Sequence, residues 1–169
     1  MIKFNEKGKD NFKKSTALFG NLMMLIWIGL GTLAIWFYNP FFAWIFLASA
    51  LIMVYIVLRK LVCTNCYYYD KICGLGWGKL SAKMFKKGDI EKFNNSIGIK
   101  IAPLTYGLIT IVPVIVIIIS IILVFNFYKL IVLILILLVS FYSGGIRRKY
   151  GCSKCKMSSF CKGSAVKHS

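Results

Sequence analysis

The sequence predicts an all-helical integral membrane protein with four transmembrane helices, arranged as two tandem hairpins. Of its 169 residues, 59% are hydrophobic and only 16% are charged, and the mean hydropathy of +0.74 is well above that of water-soluble domains. Three long stretches, 15–58, 101–128 and 130–146, contain no charged side chain. Because about 20 apolar residues cross the hydrocarbon core of a bilayer, stretches of this length predict membrane spans.

Helix-breaking residues divide these stretches into four spans. The turn at Asn39-Pro40 splits the first hairpin, 17–58, into spans over 17–38 and 41–58. The second hairpin, 101–146, contains spans over 102–125 and 130–146, separated by residues 126–129. An N-terminal tail (1–16), a central loop (59–100) and a C-terminal tail (147–169) remain outside the membrane.

The basic residues indicate how the spans are oriented. There are 22 Lys and Arg against five Asp and Glu, and all of the basic residues except Lys129 lie in the two tails and the central loop. By the positive-inside rule, we expect a multi-pass protein of the cell membrane with both termini in the cytoplasm. The same charge predicts attraction to anionic lipid headgroups. No recognisable nucleic-acid-binding module accompanies it, so nucleic acid is not an expected partner.

An internal repeat relates the two hairpins. The pattern R-K-x-x-C-x-x-C begins at Arg59 after the first hairpin and at Arg148 after the second, an offset of 89 residues. The same offset carries the Asn39-Pro40 turn onto Tyr128-Lys129. Since each unit crosses the membrane twice, both units face the same way. The pattern therefore predicts a duplication with a pseudo-two-fold axis along the membrane normal.

All six cysteines fall in two clusters, one after each hairpin. The spacing is C-x2-C-x6-C in the first and C-x2-C-x5-C in the second, and the residues are Cys63, Cys66, Cys73, Cys152, Cys155 and Cys161. Structural disulfides are not expected on a cytoplasmic face, whereas a C-x2-C turn directs two thiolates to one metal. The clusters therefore predict a metal site, with zinc favoured and an iron–sulfur cluster as the alternative.

Three thiolates leave a tetrahedral metal site one ligand short. Either each triad recruits a fourth ligand, for which Asp70 and His168 are candidates, or the two triads combine. The spacing resembles the two-zinc, six-cysteine cluster of fungal transcription factors, although here a membrane hairpin separates the halves and the second triad is one residue shorter. The resemblance covers only the six cysteines. It implies that two such halves can share bridging thiolates around two metals, and it implies nothing about DNA.

The surroundings of the cysteines carry further expectations. Nearby basic residues are expected to lower the cysteine pKa values and to offset the charge of the thiolates. The three tyrosines at 67–69 are expected to shield the cluster or to line an interface. The glycine-rich stretch 74–78 lacks the ending of a phosphate-binding loop and is interpreted as a turn.

An amphipathic helix is predicted from Trp77 to near Gly88. One face would carry apolar side chains and the other would carry lysines, namely Trp77, Leu80, Met84 and Phe85 against Lys79, Lys83, Lys86 and Lys87. Such a helix is typical of the headgroup region of a membrane, although packing onto a partner subunit is the alternative.

The chemistry of the spans limits the function. The spans contain no Asp, Glu, Lys, Arg or His, which argues against ion-coupled transport and intramembrane haem. The single histidine, His168, leaves no catalytic triad or zinc-hydrolase motif, so no catalytic residue is predicted. We expect a non-enzymatic scaffold or accessory subunit in which the metal site joins the two hairpins. The alternatives are an iron–sulfur electron-transfer protein and a thiol-based metal carrier.

Overall fold

The computed structural model describes residues 4–75 and 77–166 and confirms an all-helical fold with four helices long and apolar enough to cross a membrane. These spans are Lys14–Trp36, Pro40–Asn65, Ile97–Leu123 and Phe127–Ser153. A short helix, Trp77–Met84, and a 3₁₀ helix, Ile90–Asn95, lie between the second and third spans. Over the described residues, β pairing is limited to one isolated bridge between Lys9 and Cys155.

All four helices extend further at the cysteine end than the apolar stretches predict. The first begins at residue 14 instead of 17, and the third at 97 instead of 102. The second and fourth continue beyond 58 and 146 into the cysteine clusters. Hydropathy marks only the part of a helix that matches the bilayer core, whereas backbone hydrogen bonding continues beyond it. Both R-K pairs are therefore helical.

The second and fourth spans share an unusual internal feature. Each changes from α-helix to a π-helical turn shortly before its cysteines, at Met53–Val57 and at Tyr142–Arg147. Short α-helical segments, Leu58–Leu61 and Arg148–Ser153, follow these turns. Because π-helical turns are rare and add a residue to the helix, each one changes the direction in which the following side chains project.

Asparagine caps begin the second helix of each hairpin. The side chain of Asn39 accepts a hydrogen bond from the Phe41 N–H at 2.8 Å, and Asn126 accepts one from the Tyr128 N–H at 3.0 Å. The second turn is therefore at Asn126, two residues before the position that the 89-residue offset predicts. The α-helix that follows it has 15 residues, against 13 in the first hairpin, and this difference restores the offset before the cysteines.

Lys129 is buried at the hairpin end of the bundle. Its ammonium group donates to the carbonyls of Ser120 at 2.9 Å and Val124 at 2.8 Å, which are free at the end of the third span. The hydroxyl of Ser120 in turn donates to the carbonyl of Phe37 at 3.1 Å. These bonds join the two hairpin turns.

The first span lies at the centre of the bundle and contacts the other three. At Gly31 the helices approach so closely that an added Cβ would lie 3.0 Å from the ring of Pro113 and 3.1 Å from the ring of Phe46. Trp77 from the short helix packs into the bundle core beside Met24 and Trp27. The loop region at the cysteine end is therefore docked onto the spans.

Candidate functional site

The segments at the cysteine end fold into one unit, which we call the headpiece (residues 4–13, 66–75, 77–96 and 154–166). Its core consists of Phe12, Tyr68, Phe93 and Met157. One of these comes from the N-terminal segment, two come from the central segment and one comes from the C-terminal segment. The parts of the chain that flank the two hairpins therefore share one core.

The two C-x2-C motifs have the same local conformation. In each, the backbone N–H of the second cysteine donates to the carbonyl of the first, Cys66 to Cys63 at 3.3 Å and Cys155 to Cys152 at 3.1 Å. Cys63 and Cys152 lie at the ends of the second and fourth spans, and the third cysteine of each triad follows in a loop or turn. All six cysteines have free thiols and are half-buried.

Tyr68 connects the two halves of the headpiece. Its side chain is only 2% exposed, and its hydroxyl donates to the carbonyl of Lys9 at 2.5 Å and accepts from the N–H of Lys156 at 3.0 Å. Cys66 and Cys155 both pack against the core that contains this ring. One tyrosine of the predicted shielding group thus lies between the two cysteine clusters.

The N-terminal segment, residues 4–13, links the C-terminal cysteine segment to the first cysteine loop, and we call it the brace. It pairs with the segment 154–156 around Cys155 through backbone bonds from the Asn5 N–H to the carbonyl of Lys156 at 2.9 Å and from the Lys9 N–H to the carbonyl of Lys154 at 3.0 Å. The N–H of Phe12 then donates to Ile72 in the first cysteine loop at 2.8 Å. The lysines of this segment predict only a basic tail. The apolar Phe4 and Phe12 among its charged residues were the signal that it packs.

Charged side chains close the outside of this brace. Asp10 accepts a hydrogen bond from the Tyr67 hydroxyl at 2.6 Å and forms an ion pair with Lys156 at 3.2 Å. The hydrogen bond from Tyr67, followed by that from Lys156, lowers the pKa of the Asp10 carboxyl. The ammonium of Lys71 lies 4.0 Å from the centre of the Tyr67 ring. These contacts add a polar layer over the packed tyrosines.

The thiols are neighbours, but they do not converge on one point. Cys66 is within electrostatic range of Cys63 and Cys73 in its own triad and of Cys155 in the other. Over residues 4–75 and 77–166, however, no group of three Cys, His, Asp or Glu side chains is placed to hold a metal ion. Asp70 occupies a turn with φ of 60° and is exposed. His168 lies outside the described residues.

The expectation that neighbouring cations lower the cysteine pKa values is wrong for Cys66, Cys155 and Cys161 of the headpiece. Burial raises the pKa of Cys66, raises that of Cys155 to about 11, and raises that of Cys161. The positive charge of Arg148 opposes this effect at Cys161 without overcoming it. Desolvation dominates because the thiols pack inside the headpiece, whereas most lysines extend into solvent.

The short helix differs from the prediction in the burial of Trp77 and in its length. Its buried residues are Trp77, Gly78 and Ser81, while Leu80 and Met84 are 39% and 48% exposed. The helix also ends at Met84, before the last two predicted lysines. The reason is that it packs against the protein: an added Cβ at Gly78 would lie 1.8 Å from the carbonyl oxygen of Tyr68.

Trp77 fixes this helix to the first span and to the first triad. Its indole N–H donates to the Asn21 side chain at 2.8 Å, and the same side chain donates to the carbonyl of Leu75 at 2.6 Å. The backbone N–H of Trp77 donates to the sulfur of Cys73 at 3.2 Å. Trp77 is thus a structural anchor of the cysteine loop.

A cleft of about 410 Å³ opens beside the first triad. It is lined in part by Cys66, Lys71, Lys87 and Asp89. Cys66 thus lies in the wall of a cleft whose other residues include both basic and acidic side chains.

Sequence reasoning also missed the environment of Arg59. The sequence predicts that it lies in a loop, whereas it is fully buried and lies in the helix Leu58–Leu61.

No protein-family model, curated protein or solved structure matches this chain. Its function is therefore argued from its own residues.

Proposed function

We propose that this protein is a non-enzymatic membrane scaffold or accessory subunit in which a cytoplasmic six-cysteine metal site joins two repeated hairpins. Zinc is the favoured metal. The observation that carries the proposal is the shared headpiece: Cys66 follows the first hairpin, Cys155 follows the second, and both pack against the core that contains Tyr68. A metal held there would bind the two hairpins together. Helix pairs in a bilayer lack a hydrophobic driving force for association, so such a link would stabilise the bundle.

Three matched features support the duplication that the proposal includes. The π-helical turns begin at Met53 and Tyr142, which are 89 positions apart, like the two R-K pairs. Both C-x2-C motifs close with the same backbone hydrogen bond. Both hairpins turn at an asparagine cap. Because π-helical turns occupy less than about 1% of residues in proteins, their occurrence at matched positions favours common ancestry of the two halves.

The donor set favours a thiophilic metal. The candidate ligands are the six cysteine sulfurs, and thiolates select zinc, copper(I) or iron–sulfur centres over magnesium or calcium. Binding requires the thiols to close in on a common point and to lose their protons. Since burial raises the pKa of Cys66 and Cys155, protons compete with the metal, and zinc affinity falls as the pH falls.

The surface of the headpiece fits a position next to anionic lipid on the cytoplasmic side. Leu80 and Met84 are exposed on the short helix, and Lys79 and Lys83 are exposed beside them. Apolar side chains that enter the headgroup region together with lysines are typical of an interfacial helix. The excess of basic residues at this end also supports the cytoplasmic orientation.

Metal analysis of the full chain, purified anaerobically in nanodiscs, tests the proposal. We expect about two zinc ions per chain and no visible colour, because six thiolates can complete two tetrahedral sites through shared ligands. Brown protein with iron and sulfide would replace the zinc scaffold with the electron-transfer alternative. Protein without metal that also fails to bind added zinc, and whose thiols all titrate freely, would contradict both.

A further inference from the structure

Among the residues that the structure describes, no carboxylate pairs with the positive charge of Arg59. Its side chain is 0% exposed, and its three guanidinium nitrogens have no hydrogen-bond partner within the described residues. Two aromatic rings enclose it, with centroids 4.4 Å away for Tyr55 and 4.8 Å away for Trp77. Within residues 4–75 and 77–166, the ion pair that forms is between Lys156 and Asp10, at the surface of the headpiece.

A buried guanidinium requires compensation, because arginine remains charged in proteins and its transfer out of water is unfavourable. The two cation–π contacts supply part of it. The nearby groups that can carry a negative charge are the thiols of Cys63 and Cys73 and the hydroxyls of Tyr55 and Tyr106. Of these, a thiol is ordinarily the more acidic kind of group and is the one that binds metals.

Trp77 contacts both Arg59 and the first triad. Its ring packs against the guanidinium, and its backbone N–H donates to the sulfur of Cys73. Cys63 follows Arg59 by one helical turn and packs with Cys73 against the same cluster of buried residues. Arginine, aromatic ring and two thiols thus form one local unit.

The second half has the corresponding arginine in a more open position. Arg148 occupies the aligned place in the R-K-x-x-C-x-x-C motif and is within electrostatic range of Cys161. It is exposed, and its guanidinium donates to the carbonyl of Gly163 at 2.8 Å. Each triad therefore has an arginine from its own motif, but only Arg59 is buried without an acceptor.

We propose that Arg59 is the positioning residue of the first metal site, a buried counter-charge that stabilises the thiolates of Cys63 and Cys73 when they bind a metal ion. This inference rests on the metal site proposed above. The aromatic rings of Tyr55 and Trp77 hold the guanidinium in place, and the negative charge of the metal–thiolate centre supplies the compensation that the surrounding protein lacks.

Zinc titration of the full chain in zwitterionic nanodiscs, in competition with a chromogenic chelator, tests the inference. Arg59→Met and Arg59→Gln remove the charge, and we expect each to weaken zinc binding at one site by about 10- to 100-fold, as is typical for residues that support metal ligands. Arg59→Lys restores the charge without the planar stacking, so its affinity should lie between that of wild type and that of the neutral variants. Lys60→Met, at the exposed neighbouring position, is the matched control and should bind like wild type.

The outcomes separate this inference from the proposed function. Wild type that binds zinc while Arg59→Met and Arg59→Gln bind it as tightly as Lys60→Met would overturn the inference alone. Wild type that binds no zinc would overturn the proposed function and the inference with it. If the neutral variants do not fold, Arg59→Lys decides, because zinc loss as complete as that of Cys63→Ser would contradict a role for the charge.

Discussion

At the scale of single residues, the headpiece depends most directly on Tyr68. We expect Tyr68→Phe to destabilise it, because the partly buried N–H of Lys156 and the carbonyl of Lys9 would lose a partner. An unmet buried polar group costs about 1–3 kcal/mol. Thermal unfolding in detergent should show a lower midpoint temperature. In a separate measurement, alkylation of the Cys155 thiol should be faster than in wild type. Tyr38→Phe, a side chain that is 52% exposed, is the control and should have no effect. Equal behaviour of the two variants would contradict the role of Tyr68.

The buried thiols make a second prediction at this scale. Thiolate is the reactive form of cysteine, and burial raises the pKa of Cys155 to about 11 from the ordinary value of 9.0. In metal-free protein, alkylation of Cys155 should therefore be slow at neutral pH and should rise as the pH approaches 11. Mass spectrometry after timed exposure to iodoacetamide measures this rate. A rate that is already maximal near pH 8 would contradict the buried position.

At the scale of elements, Lys129 caps the third span. Lys129→Met should lower the thermal midpoint, because the carbonyls of Ser120 and Val124 would lose their donor in an apolar setting. The expected loss is about 1–3 kcal/mol. Lys14→Met removes an exposed lysine at the opposite end of the bundle and is the matched control. If the two substitutions have the same effect, the cap does not contribute to stability.

The elements also show what local sequence patterns can and cannot predict. Four spans follow from hydropathy alone, because each must match the thickness of a bilayer. Amphipathicity separates the apolar from the charged side chains of the short helix, but it does not say that Trp77 packs into the protein while Leu80 and Met84 stay exposed. Trp77, Gly78 and Ser81 face the protein because Asn21 and the backbone around Tyr68 receive them.

At the scale of the whole molecule, the sequence predicts the two cysteine clusters but not the way they meet. The matched spacings were visible because they are local. The brace from Asn5 and Lys9 to the segment around Cys155 joins residues about 150 positions apart, and no local pattern encodes such pairing. The burial of Arg59 is hidden for the same reason, since Tyr55 lies on its own helix but Trp77 comes from a separate element.

The central claim is that the two cysteine triads act as one metal site that joins the hairpins. Zinc content per chain in Cys63→Ser and in Cys152→Ser tests it most directly, with Ser153→Ala, an exposed neighbour, as the control. A shared site predicts that either cysteine substitution reduces the zinc bound by both halves, and that the control keeps all of it. Loss of only one half of the zinc in each cysteine variant, with the other half bound as tightly as in wild type, would contradict the claim.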